Sequence, residues 1–337
     1  MLRLKHNCCI IRNILAGRKK TSFVILINAR FEYARQPSLV IIPPQMTAPS
    51  SQTGRVTFLE GRGELPMLEI VTPWSTAEVY LHGAHVTHFQ KNGEPPLLFM
   101  SQVSRFLRDA PIRGGIPVIF PWFGKPVDKP LQHGIARVRN WEVKELASPA
   151  DGSVTVKLRL PYCSDLPACA VEYVVTVSRT LRAELVVTNK SEKEFAFENC
   201  LHTYFTVGDI GSVSVTGLKG VKYLDQLDSL ARKVEKENRI HISSEVDRVY
   251  VDTKHTVSVH DASLKRIIRV EKEGSASTVV WNPWIAKAKA MQDFGDEEYQ
   301  KMICVESGNV NGNAVKLAPG KTVSLRIKLS STGLKKT

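Results

Sequence analysis

Short runs in which apolar and polar residues alternate recur along most of this chain, separated by turn residues. From about Arg55 onward, VTFLEG, LEIVTP, AEVYLHGAHVTHF, SVTVKLRLP, VEYVVTVSRTLRAELVVTN, FAFENCLHTYFTV, SVSVTGL, VSVHD, RIIRVEKEG, STVVWNP, KMICVES and VSLRIKLS all read as strands. β-branched and aromatic residues dominate them, as a pleated, half-buried surface favours. Helical periodicity is scarce. KAKAMQDFGDEEYQ predicts one short helix, and YLDQLDSLARKVEKEN predicts part of another or a charged loop. Many strands at short spacing with few helices predict an all-β sandwich or barrel, built as a single domain over residues 55–332.

Composition agrees with a globular reading. The 337 residues are 43% hydrophobic, enough for a sizeable core and against wholesale disorder. No apolar run reaches the roughly 18–20 residues that would span a bilayer, which predicts no membrane partner.

The net charge of +13 is unevenly spread. Residues 1–50 hold eight Lys/Arg and one acid, Glu32, so this segment supplies +7 and the other 287 residues only +6. Residues 1–54 therefore read as a basic N-terminal extension: a targeting peptide, a disordered tail, or an upstream start with Met46 opening a shorter chain. Nucleic-acid binding needs basic residues clustered on a folded face, so this charge does not predict it. The modest excess in the body suits an anionic small substrate.

The six cysteines, Cys8, Cys9, Cys163, Cys169, Cys200 and Cys304, form no CxxC and predict reduced thiols. Cys200 and Cys304 each precede a candidate catalytic residue by two positions, and read as small buried side chains in strands.

Four clusters could carry chemistry. Arg113-Gly114-Gly115-Ile116-Pro117 pairs an arginine with glycines that let backbone approach closely. Nineteen residues after Arg113 begins Gln132-His133-Gly134-Ile135-Ala136-Arg137, with Trp141 beyond. Two guanidinium groups in Gly-flanked segments could clamp a phosphate, or could pair with surface acids. In Leu201-His202-Thr203-Tyr204-Phe205, strand geometry puts His202 and Tyr204 on one side. An imidazole there could trade a proton near neutral pH, or simply be a satisfied core residue. In Cys304-Val305-Glu306-Ser307-Gly308, Glu306 ends an apolar strand, either partnered within it or exposed at its tip. Glu245 and Asp247 of SEVDRVY share a strand face and could accept hydrogen bonds from sugar hydroxyls, or be a solvated edge.

Two features are weaker. His82, His85 and His88 crowd one segment, but on a strand His85 faces away from the other two, so no metal site is predicted. Trp281 and Trp284 of WNPW could stack on a sugar or cover the core.

Taken jointly, RGGIPVIFPWFG, QHGIAR with its following Trp, LHTYF, SEVDRVY, WNPW and CVESGNV resemble the glucose-6-phosphate 1-epimerase group of the aldose 1-epimerase, or galactose mutarotase-like, superfamily. They fall in the family's order over about residues 55–330. The resemblance implies a β-supersandwich with its site in a cleft across one concave sheet. It implies that His202 is the acid and Glu306 the base of an anomer exchange, with Arg113, Gln132, Arg137, Asp247 and His133 contacting the sugar. Where many relatives have proline after the glutamate, this chain has Ser307, which would alter loop shape rather than chemistry.

The chemistry such a family performs needs no metal and no redox cofactor. Opening a pyranose removes the anomeric hydroxyl proton and delivers one to the ring oxygen, jobs for a carboxylate and an imidazolium placed on opposite sides of the ring. The expected substrate is a hexose 6-phosphate, chiefly that of glucose. The alternatives are a 1-epimerase of unphosphorylated aldoses and a non-catalytic sugar-phosphate-binding protein. The chain is expected to work as a monomer in the cytoplasm, or in a plastid or mitochondrion if residues 1–50 act as a transit peptide.

Overall fold

The computed structural model of the chain describes residues 53–129 and 131–334, together with a two-residue strand at Phe23–Val24. Apart from that strand, the reading of residues 1–52 as a targeting or disordered extension lies outside the described residues, as do Cys8, Cys9 and Met46.

Two large antiparallel sheets make the body. One has nine strands, with Arg266–Glu273, Thr322–Gly333, Leu181–Asn189 and Cys169–Val177 adjacent at its centre. The other has eight, with Val246–Tyr250, Ser277–Asn282, Met302–Asn309 and Asn199–Leu201 adjacent, and Tyr204–Thr206 also pairing onto Met302–Asn309. A five-stranded sheet that includes Arg55–Glu60 and His85–Lys91, and a two-stranded one of Phe195–Phe197 and Val315–Leu317, complete the architecture. The open sandwich is the all-β class that the alternation predicts.

Burial follows the side-chain period. Along Leu181–Asn189, Leu181, Ala183, Leu185 and Val187 are buried, while Arg182 is exposed and Glu184 half-buried on the other face. The inward side chains join Val280, Val305 and Tyr250 of the eight-stranded sheet in one continuous core. Each such aliphatic side chain contributes about 1.5–3 kcal/mol when fully buried. Outside, cross-strand ion pairs cover the nine-stranded sheet, including Arg326–Glu184 at 2.8 Å and Lys328–Glu271 at 2.9 Å.

Met302–Asn309 departs from alternation, because all eight of its residues are buried. One face meets the sandwich core and the other lies under the site. Its apolar run is therefore that of a strand covered on both sides.

Five segments differ from their sequence reading. VEYVVTVSRTLRAELVVTN is divided between two strands, Cys169–Val177 and Leu181–Asn189, and FAFENCLHTYFTV among three, Phe195–Phe197, Asn199–Leu201 and Tyr204–Thr206. AEVYLHGAHVTHF is two strands, Ser75–Tyr80 and His85–Lys91, joined by a turn in which Gly83 and Ala84 have positive φ. Its histidines separate accordingly: His82 Nε2 meets Ala110 O at 2.8 Å, His85 Nε2 meets Gly114 O at 2.8 Å, and His88 Nε2 meets Thr76 Oγ1 at 3.3 Å. YLDQLDSLARKVEKEN forms a hairpin of Lys222–Asp225 and Ala231–Val234, not a helix, because sheet pairing overrides its local propensity. The one α-helix among the described residues, Trp284–Ala290, starts before the predicted segment.

Candidate active site

Strand register gathers the site. Asp247 pairs with Trp281, and Trp281 pairs with Cys304. In the next row of the same face Val249 pairs with Val279, and Val279 with Glu306. Asp247 and Glu306 therefore project onto one sheet surface, from strands that are not sequence neighbours.

His202 reaches that surface from a break between Asn199–Leu201 and Tyr204–Thr206. Its backbone N–H donates to Pro117 O at 3.1 Å, and Val305 N–H donates to Thr203 O at 3.2 Å, so the break is pinned on both sides.

The segments holding Arg113 and His133 close over the sheet by glycine. Gly115 has φ +60°, and a Cβ there would lie 2.2 Å from Val86 O and 2.9 Å from His85 Nε2. Gly134, at φ +74°, would set a Cβ 2.1 Å from Phe120 O. Only glycine allows either approach. His133 itself has φ +60°, a left-handed conformation uncommon outside glycine.

A cleft of about 260 Å³ results, lined by Arg113, Gln132, His133, His202, Asp247 and Glu306, and also by Phe123, Tyr204, Trp281 and Lys287. That volume lies near the small end of the roughly 300–1,000 Å³ of small-molecule sites. A larger groove of about 540 Å³ crosses the outer face of the nine-stranded sheet. Its Arg326, Glu184, Lys328 and Glu271 are already paired with one another, so it offers few free groups to a ligand.

At the floor of the cleft His202 Nε2 lies 3.2 Å from Glu306 Oε1, with the side chains 9% and 1% exposed. Cys200 Sγ donates to Glu306 Oε2 at 3.5 Å. Burial pushes the Glu306 carboxyl well up, and the nearby Asp247 adds to it. Burial pushes His202 well down, followed by the Arg113 and Arg137 charges. Both groups are thus driven toward their neutral forms, with the carboxyl placed to share its proton with the imidazole across the contact.

The surrounding groups are tethered. Arg113 donates through Nε and Nη2 to Asp293 Oδ2, at 3.2 and 3.1 Å, and through Nη1 to Tyr204 Oη at 2.9 Å. Gly124 N–H donates to His133 Nδ1 at 3.1 Å, which leaves Nε2 as the protonated nitrogen of a neutral ring; it lies 3.1 Å from the Gln132 side-chain amide, which accepts from it only when turned to present its oxygen. Burial, then Arg137, holds His133 well below the usual imidazole range. Asp247 is raised to about 7, by burial and then by Glu245.

A model of the family described as aldose 1-epimerase matches residues 66–330. The chain belongs to the aldose 1-epimerase family. Two relatives, from Cenchrus ciliaris and from Escherichia coli, both bear the name "Putative glucose-6-phosphate 1-epimerase". The first is 37% identical over 76% of this chain and 81% of its own length, the second 33% identical over 72% and 83%. Among solved structures, YeaD from Salmonella typhimurium, titled a "putative mutarotase", superposes with a TM-score of 0.77 at 27% identity, covering 82% of this chain and 94% of that one. A galactose mutarotase-like protein from Clostridium acetobutylicum, 17% identical with a TM-score of 0.64, shares the fold.

Six of the seven predicted site residues of this aldose 1-epimerase family member line one cleft. Arg137 does not: it is buried behind the cleft, with Nη2 donating to Gln132 O at 2.8 Å, and so supports that segment from below. His202 and Glu306 do not face each other across a ring-sized gap. They touch, because the histidine comes from a strand break directly over the Glu306 strand. Glu306 is inside its strand, not at its tip. Trp281 lines the cleft, whereas Trp284 packs on Tyr299 with ring centroids 5.2 Å apart.

Sequence reasoning missed Lys287 and Asp293. Lys287 lies on the exposed face of the Trp284–Ala290 helix, where lysine is ordinary, and Asp293 sits in a loop among other acids. Neither carries a local signal.

Proposed function

We propose that this protein interconverts the α and β anomers of hexose 6-phosphates, chiefly glucose 6-phosphate, with His202 as acid and Glu306 as base, in one domain over residues 55–332. Membership of the aldose 1-epimerase family and the names of its relatives support the reaction. The observation that carries the site assignment is the buried 3.2 Å contact between His202 and Glu306 at the floor of a monosaccharide-sized cleft.

The contact suits a hemiacetal. The hydroxyl oxygen and the ring oxygen sit on the same carbon, so two adjacent groups can address both from one side. The anomeric hydroxyl donates to Glu306; a hydrogen bond to the carboxylate favours its ionised form and moves the shared proton to His202. Glu306 then takes the hydroxyl proton while His202 protonates the ring oxygen, and the C1–ring-oxygen bond breaks. The aldehyde turns about C1–C2, and reclosure returns both protons. Each proton transfer contributes about 10²–10⁴-fold, and holding both groups against one substrate adds an orientation term.

Asp247, Gln132 and His133 are placed to meet hydroxyls. Arg113, held by Asp293 and Tyr204, and the exposed Lys287 supply positive charge for the phosphate. Arg137 acts from behind, on the Gln132 segment.

Freshly dissolved α-glucose 6-phosphate, followed with a dehydrogenase specific for the β anomer, tests the reading. Wild type should speed conversion and His202→Ala should not. Equal efficiency on glucose and its 6-phosphate would favour an epimerase of free aldoses. Binding without exchange would favour a sugar-phosphate sensor.

A further inference from the structure

We propose that His202, Cys304 and Glu306 form a binding site for a thiophilic divalent cation of the zinc class, and that a bound ion silences the acid–base pair. The proposal rests on the reading of His202 and Glu306 as the reacting groups, and adds Cys304, which that reaction does not use.

The geometry is local and specific. One ligand atom from each of the three residues falls within 4.8 Å of the others, and all three residues are buried. Cys304 and Glu306 are two positions apart on Met302–Asn309 and so share its cleft face. Tyr204, opposite Cys304, carries the chain that presents His202. Zinc bonds of about 2.0–2.3 Å put tetrahedral ligand atoms roughly 3.3–3.8 Å apart. The 3.2 Å His202–Glu306 contact nearly meets this already, leaving the thiol to swing in by about an ångström.

The donor set matches the ion. Thiolate, imidazole and carboxylate are its usual ligands, and three protein ligands leave a fourth position open. Here that position faces the cleft, because His202 and Glu306 line it, which also gives the ion its route in. Charge balances: one thiolate and one carboxylate neutralise a dication, so the buried site carries no net charge. The Cys200 thiol on Glu306 Oε2 and the Tyr204 ring against His202 hold two of the ligands from outside.

Occupancy gives the inhibition. Sulfur, imidazole nitrogen and carboxylate oxygen each donate a lone pair to the ion, and any proton they carried leaves to solvent. The nitrogen and oxygen that would pass protons to and from the sugar are then bound to metal. Nothing is oxidised or reduced.

The test uses the full chain, stripped with a chelator and titrated with Co²⁺ as a spectroscopic probe and Zn²⁺ as inhibitor. One equivalent of Co²⁺ should give a thiolate-to-metal charge-transfer band that Zn²⁺ abolishes. Zn²⁺ at ten times its Kd should leave about one-tenth of the activity, restored by chelator. Cys304→Ser and Cys304→Ala should each lose the band and bind Zn²⁺ at least about tenfold more weakly. Cys163→Ser/Cys169→Ser should keep both. Absence of the band in wild type overturns the proposal, as does an unchanged band in both Cys304 variants, which would place the ion on other thiols. Binding is read apart from turnover. A band in a protein that exchanges no anomers would sink the proposed reaction and leave the site; exchange without a band would do the reverse.

Discussion

The Tyr204 ring lies flat against the His202 imidazole, with centroids 4.7 Å apart and planes 9° from parallel, while its hydroxyl is tied to Arg113 Nη1 at 2.9 Å. One side chain thus links the proposed acid to a cationic group at the cleft wall. Tyr204→Phe keeps the stack and loses the tie. It should cost about 1.5–3 kcal/mol of stability, since the lost partner is a charged guanidinium, and leave the pH profile of kcat unchanged. Tyr204→Leu removes the stack and should lower kcat further. Equal kcat in the two variants would show that the stacked ring does not orient His202.

The acid and the base should behave as a unit. His202→Ala and Glu306→Gln should each lower kcat by about 10²–10⁴-fold. The double variant should be no more than about tenfold worse than the poorer single one, because either loss already ends the proton exchange. Multiplying losses in the double variant would mean that the two residues act in separate steps.

Substrate class should map onto the cations. Lys287 is exposed, so Lys287→Ala should leave the melting temperature unchanged. It should raise KM for glucose 6-phosphate by about three- to tenfold, with kcat nearly constant, and the effect should shrink at high salt. KM for free glucose should not move. A parallel rise on both sugars would remove Lys287 from phosphate binding.

Asp247 gives a signed pH dependence. Its carboxyl is raised to about 7 in the fold, first by burial and then by Glu245. In the unfolded chain it ionises near 3.9, its ordinary value. The folded state therefore holds more protons between these values, and this group's contribution to stability falls as pH rises through that window. Asp247→Asn cannot ionise. Its melting temperature should exceed that of wild type above pH 7, with the difference closing toward pH 4. Melts across this range decide it, since an offset independent of pH would contradict the assignment.

Gly115 should tolerate no side chain. At φ +60° its Cβ would meet Val86 O at 2.2 Å, a backbone atom with nowhere to go. Gly115→Ala should cost at least about 3 kcal/mol, seen as a lower urea midpoint, and should displace Arg113 two residues away. A midpoint equal to wild type would mean that the loop does not pack as described.

The sequence carried much of this, but unevenly. Alternation predicted strands at Val154–Arg159 and Val257–Asp261, because a half-buried strand writes its two faces into consecutive residues. It joined two strands across Gly83-Ala84, where the turn holds a single glycine followed by a residue that seldom marks one. It also misjudged Leu224 to Val234, where the pairing partner, not local propensity, sets the conformation. The motifs marked six residues that line the cleft, since glycines beside Arg113 and His133 reflect a close backbone approach that few other residues permit.

By itself the sequence determined the strand-rich class, the apolar faces and which residue types could exchange protons or bind an anion, because these follow from local period and side-chain chemistry. Only the tertiary structure decided that His202 touches Glu306, that Arg137 stands behind the cleft, and that Asp293 and Lys287 belong beside it. The physical reason is that these placements depend on strand register and on how segments separated in the chain fold against each other. Desolvation of the two proposed catalytic groups arises from that packing, and no stretch of chain contains it.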